Sequence, residues 1–270
     1  MSEQKNFQPD WHAIAEKFDI WLPYIESTGQ AMIAAIQAQA GQRILDVASG
    51  TGEPALSLAQ QFKGVEVVGS DAAAGMVAVA NAKVKKLGLE NIRFENMPGD
   101  KLDYPDASFD HIMCRFGLMF FEDPLAGLKE MRRLLKPGGR FAFAVWHTAE
   151  TMHMMRWSHE AFKGKLPENQ LPPLDVITRL GKAGYFESLL KQAGFSEVVI
   201  EQKTLDYAFD SFEHYWKMVE YSEILKAQLD ALPAQEHASI KDEIAAMTEL
   251  FVTEDGLHVP HDYLLASGNH

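Results

Sequence analysis

Asp46, the small-residue run Ala48-Ser49-Gly50-Thr51-Gly52 and Asp71 are the residues whose types and spacing could do chemistry. Small residues let the backbone turn sharply and approach a ligand closely. Asp71 lies about twenty residues beyond Gly52, where a nucleotide-binding fold places the carboxylate that accepts hydrogen bonds from ribose hydroxyls. An uncompensated acid there also disfavours a 2′-phosphate, which it would repel. Asp71 can equally cap a helix that starts near Ala72, and the two roles are compatible. The loop alone is ambiguous: Gly50-x-Gly52-x-x-Ala55 also fits the dinucleotide fingerprint, and a tight turn in another α/β protein would read the same way. For proton transfer the candidates are His147 and then His153. The single Cys114 excludes an intrachain disulfide and a multi-cysteine metal site, and reads as an inert core residue.

The elements that must position these residues follow from apolar periodicity. Arg43 to Val47 is a short apolar run with a carboxylate near its end, the pattern of a buried parallel strand. Pro54 suits the first turn of a helix, which Ala55, Leu56, Leu58 and Ala59 continue. Further strands are expected at 65–71, 92–96, 109–115 and 140–146. Between them lie a helix from Met76 to Lys86, stopped at Gly88, and another from Pro124 to Leu135, stopped by Lys136-Pro137-Gly138-Gly139. This alternation implies a parallel sheet with helices on both faces. Ahead of it, residues 1–10 read as a mobile arm and 11–39 as a pair of helices separated at Pro23. Core packing is the first reading of Trp11, Phe18, Trp21 and Tyr24 there; a lid over the ligand site is the second. After His147 the pattern is less regular: a Met-rich helix at 151–162, a proline loop at 167–173, a helix at 180–192, and a strand at 198–207 whose partner is expected at 262–267. The long segment 211–250 reads as helical.

At 270 residues and 47% apolar, the chain can fill one large α/β domain. A net charge of −13 disfavours nonspecific nucleic-acid binding, so no nucleic-acid partner is expected. No stretch approaches the roughly 18 apolar residues of a membrane span, and the polar start lacks a signal core. A cytoplasmic enzyme is the resulting expectation.

Several motifs then line up: Ile44-Leu45-Asp46-Val47-Ala48-Ser49-Gly50-Thr51-Gly52, Gly69-Ser70-Asp71, Pro105-Asp106-Ala107-Ser108-Phe109-Asp110, Arg115-Phe116-Gly117-Leu118-Met119-Phe120-Phe121, and Glu130-x-x-Arg133-Leu134-Leu135-Lys136-Pro137-Gly138-Gly139. Jointly they resemble class I S-adenosylmethionine-dependent methyltransferases, in particular the small-molecule group that includes the ubiquinone and menaquinone C-methyltransferases. The likeness covers about residues 40–147. It implies a Rossmann-like α/β fold: a seven-stranded, mostly parallel sheet in the order 3-2-1-4-5-7-6, the last strand antiparallel, with helices on both faces. We read the whole chain, 1–270, as one such domain, with an N-terminal helical lid at 11–39, a cofactor-binding core at 40–147 and a helical cap at 208–252 before the last strand. Two departures stand out. Ala48 replaces the family's first loop glycine, which is tolerable if its φ is negative. Asp100 falls two positions later than the acid with which relatives read adenine.

The resemblance implies S-adenosyl-L-methionine as cofactor. On it, the Ala48, Ser49, Gly50 and Gly52 backbone takes the amino-acid end, Asp46 the neighbouring polar shell, Asp71 with Ala72 the ribose, Met76, Gly99 and Asp100 the adenine, and Arg115 and Phe116 face the methyl group. The reaction would be in-line methyl transfer to oxygen, carbon or nitrogen of a small molecule, which asks for alignment and dryness rather than a metal. An oxygen acceptor of high pKa would need a base, and His147 is the candidate. Phe18, Trp21, Phe120, His153 and Trp216 are the expected acceptor contacts. The alternatives are a nicotinamide-dependent oxidoreductase and a non-enzymatic S-adenosylmethionine-binding protein. The aromatics of 211–250 exceed what an exposed helix carries, so they should bury against the core, the acceptor or a second copy in a homodimer.

Overall fold

Arg43–Val47 (β1) becomes the central strand because both its faces are covered: Ile44, Leu45, Asp46 and Val47 are all fully buried. The computed structural model describes residues 9–270; residues 1–8 of the expected arm lie outside them. Around β1 stand Glu66–Asp71 (β2), Ile92–Asn96 (β3), Phe109–Arg115 (β4) and Leu135–Trp146 (β5), and these five strands are parallel to one another. Ser196–Phe209 (β6) and Gly256–Asn269 (β8) complete the sheet, and β8 runs antiparallel to both β5 and β6. The order is β3-β2-β1-β4-β5-β8-β6, as expected, with one addition: the two-residue strand Val252–Thr253 (β7) folds back onto β8. The order reverses between β1 and β4, so their carboxyl ends open the crevice where such sheets bind ligands.

The helices Leu22–Ile36 (α1), Ala55–Gln61 (α2), Ala74–Leu87 (α3) and Pro124–Leu134 (α4) pack on the sheet. Pro23 does not separate a pair of helices. It occupies the first turn of α1, where its missing N–H is no loss, and Phe18–Trp21 forms one tight turn ahead of it. The Lys136-Pro137-Gly138-Gly139 stop lies within the start of β5 rather than before it. His153–Phe162 (α5), Leu174–Thr178 (α6) and Tyr185–Ala193 (α7) follow β5. The segment 211–250 is helical as expected and consists of Phe212–Ser222 (α8), Lys226–Asp230 (α9) and Ala234–Thr248 (α10). Its Tyr215, Trp216, Val219, Ile240 and Ile244 are buried within the same chain. Among the described residues, no helix is long and apolar enough to cross a membrane.

Candidate active site

The loop after β1 and the end of β2 are tied together by Asp71. One of its oxygens accepts the Gly50 N–H (2.9 Å) and the other the Ala73 N–H (2.8 Å). Each carboxylate oxygen keeps a lone pair for a further donor. Burial raises the Asp71 pKa above the usual carboxylate value, and the two amides pull it back. Gly50 has φ +54, and a Cβ there would meet nothing within 4 Å, so this backbone faces open space. Gly52 is different. It does not line the cavity beside the loop, and a Cβ on it would come 2.7 Å from Leu56 Cδ1, so its bareness lets α2 pack close to the loop.

Ala48 corrects an expectation: its φ is +55, not negative. A left-handed alanine is strained, and the fold accommodates its methyl in an identifiable way. Gly117, just past β4, has no side chain, and a Cβ there would lie 2.3 Å from Ala48 Cβ. Phe116 is also left-handed, at φ +54, which turns its ring flat onto Trp146 with centroids 3.9 Å apart.

Asp46 lies outside the cavity lining, completely buried. Burial pushes its carboxyl up to about 7, against the pull of the Arg115 charge. The Ala55 amide favours the carboxylate, yet neither oxygen is reached in hydrogen-bonding geometry. Arg115 donates to the Glu53 carbonyl (2.8 Å) and the Ile25 carbonyl (3.2 Å), joining α1 to the loop. A second tie holds the tight turn before α1. Asp19 accepts from Thr51 Oγ1 (2.6 Å) and Lys83 Nζ (2.8 Å), and Lys83 also donates to the Thr51 carbonyl (2.8 Å).

Two cavities result. The loop-side cavity, ≈ 320 Å³, gathers Ala48, Ser49, Gly50, Asp71, Ala72, Met76, Gly99, Asp100, Arg115 and Phe116, with Thr51, Glu53 and Gly117 added to the expected set. That volume lies at the lower end of the roughly 300–1,000 Å³ of small-molecule sites. The apolar cavity, ≈ 170 Å³, lies beyond it and includes Trp21, Trp146, Met152, Met154, Met155, Tyr207, Tyr215, Val219 and Gln228. Trp11, Phe18, Ile25, Phe116 and Phe120 line both. Besides Asp46 and Gly52, three more expected residues are not brought here. His147 lines neither cavity: Trp146 faces in, and along a strand the next side chain points to the other face. His153 packs its ring against Phe251 and Trp157 while Met152, Met154 and Met155 face the cavity. Trp216 is turned one helical step away and donates to Glu220 (2.8 Å); Tyr215 and Val219, four residues apart on one face, line the cavity instead. The Met-rich run at 151–155 was a usable signal for this wall. Tyr207 and Gln228 carried none.

Fold and site define a Rossmann-like protein whose nucleotide-type cleft opens on an apolar cavity. Residues 44–139 match the methyltransferase domain family. The demethylmenaquinone methyltransferase of Deinococcus radiodurans is 42% identical over 134 residues, 47% of this chain and 55% of that protein. A ubiquinone/menaquinone biosynthesis C-methyltransferase of Geobacter sulfurreducens is 31% identical over 189 residues, 65% of this chain and 73% of that protein. The matches span about half the length of the first curated relatives. In structure, the YcgJ protein of Bacillus subtilis superposes with a TM-score of 0.64 at 21% identity, covering 90% of this chain and 98% of that one. The chain belongs to the methyltransferase family.

Proposed function

We propose that the protein transfers a methyl group from S-adenosylmethionine to a small apolar acceptor. One observation carries this: a cleft built from the Ala48–Gly52 loop and Asp71 shares an aromatic wall with an apolar cavity deep enough for a second molecule. The residues fit the cofactor. Asp71 has lone pairs to accept ribose hydroxyls, Gly50 leaves room beside its backbone, and Met76, Gly99 and Asp100 stand where adenine would rest. When bound, the cofactor would supply an electrophilic methyl on a sulfonium, with S-adenosylhomocysteine as the leaving group. Phe18, Phe116 and Phe120 exclude water from the boundary between the cavities, and Trp11 closes the same wall. Among the described residues the apolar cavity is lined by no carboxylate, imidazole, ammonium or guanidinium. His147 is therefore not part of this reading. The relatives named for demethylmenaquinone make the reduced, dihydroxy form of that ring system the first acceptor to try. The −13 charge and the buried, unpaired Cys114 support a cytoplasmic enzyme that leaves nucleic acid alone.

The test is thermal unfolding with ligands. S-adenosylhomocysteine at about a hundred times its Kd should raise the melting temperature by roughly 5–10 °C, and NAD should not move it. A shift with NAD and none with S-adenosylhomocysteine overturns the proposal.

A further inference from the structure

Gln228 on α9 lines the apolar cavity, is only 2% exposed, and has no hydrogen-bond partner on either its amide oxygen or its amide nitrogen. Trp21 Nε1, on the same cavity, is also buried without a partner. Buried amides are almost always paired, because an unpaired one forfeits its hydration. The other polar groups are partly committed: Ser158 Oγ donates to the Met154 carbonyl at 3.0 Å, and Tyr215 pairs with Ser158. What remains is the Gln228 amide oxygen, two kinds of N–H donor and the Tyr207 hydroxyl in an otherwise apolar, uncharged space of ≈ 170 Å³. A cavity of about 150 Å³ lined by apolar side chains holds one benzene ring.

We infer that Gln228, with Trp21, selects the acceptor: an uncharged, ring-sized, mostly apolar molecule bearing a hydroxyl. A hydroxyl answers both needs at once. It donates to Gln228 Oε1 and accepts from Gln228 Nε2 or Trp21 Nε1. A carboxylate or ammonium would meet no counter-charge here and stays outside. This deepens the methyl-transfer reading by assigning the chemistry of its second cavity.

The experiment titrates phenol, toluene and benzoate into the wild type, Gln228→Leu and Trp21→Phe by calorimetry, each with and without S-adenosylhomocysteine. The wild type should bind phenol at least tenfold more tightly than toluene and should not bind benzoate. Gln228→Leu should lose that preference while melting no lower than the wild type, since it removes an unpaired amide. A structural glutamine would give the reverse: a lower melting temperature with the preference intact. Equal binding of phenol and toluene, tighter binding of benzoate, no binding of any probe to the wild type, or a preference that survives Gln228→Leu each overturns the inference; the first would mean that buried water satisfies the amide. If Gln228→Leu does not fold, the phenol preference of Trp21→Phe must fall at least threefold. Failure of S-adenosylhomocysteine to bind refutes the methyl-transfer reading alone, because the probe titrations without it still decide this one.

Discussion

Gly117→Ala isolates the compensation that lets an alanine stand at position 48. Gly117 has φ −100 and ψ −39, an ordinary right-handed conformation, so alanine costs nothing in backbone strain there. By the unfolded-chain argument alone the substitution should stabilise by about 0.4–1 kcal/mol. Against this stands one contact: the new Cβ would sit 2.3 Å from Ala48 Cβ and 3.3 Å from Cys114 Sγ. Overpacking of this kind costs about 1–3 kcal/mol, so the single variant should be destabilised by about 1–2 kcal/mol net. Ala48→Gly works at the other side. It relieves a left-handed residue worth about 1–2 kcal/mol and gives back about 0.4–1 kcal/mol of chain entropy, so alone it should be neutral or mildly stabilising. In the double variant the clash is gone. The four proteins, compared by urea denaturation, should show a coupling of about 1–3 kcal/mol between the two sites. Effects that add within about 0.5 kcal/mol would refute the reasoning and leave Ala48 without its stated support.

Asp71→Ala should weaken S-adenosylhomocysteine binding by about 1.5–3 kcal/mol, the range for hydrogen bonds to a charged group; calorimetry that finds unchanged affinity in a folded variant removes Asp71 from the site. Asp46 is raised to about 7 in the folded chain from 3.8, so the folded state holds its proton more tightly. The cost of burying the carboxylate is therefore absent below about pH 4, grows as pH rises, and is complete above about pH 7, on the order of 4 kcal/mol in total. Denaturation from pH 4 to 7 should show wild-type stability falling relative to Asp46→Asn, whatever the offset between them, and parallel curves would contradict the assignment.

The strand–loop–helix around Asp46 to Leu56 and the place of Asp71 at the end of β2, beside that loop, were legible because they are local: apolar runs, small residues and one carboxylate at fixed spacing. The pairing of Thr204 with Asp262 and Val199 with Ser267 was foreseen in outline from the alternation of 198–207, while the second pairing of 262–267, with β5, follows from the sheet order. Direction of side chains was not legible. His147 and Trp216 each sit one residue from a side chain that faces the ligand space, Trp146 and Tyr215, and a slip of one residue reverses a strand's face or turns a helix by 100°. The left-handed Ala48 depends on Gly117, far along the chain, and no local pattern reports such a pair. Gln228 sits in Lys-Ala-Gln-Leu-Asp, which reads as a surface turn of helix; its burial is created by packing of α8, α9 and α10.

Trp11 and Phe18 belong to the walls of both cavities, and the turn that carries Phe18 is fastened to the loop through Asp19, Thr51 and Lys83. Two ligands that rest on one shared wall have linked affinities, because the fit of that wall to one sets its fit to the other. The factor by which cofactor raises acceptor affinity must equal the factor by which acceptor raises cofactor affinity. Product and spent cofactor would then be held or released as a set, so the off-rate of one becomes a property of the other.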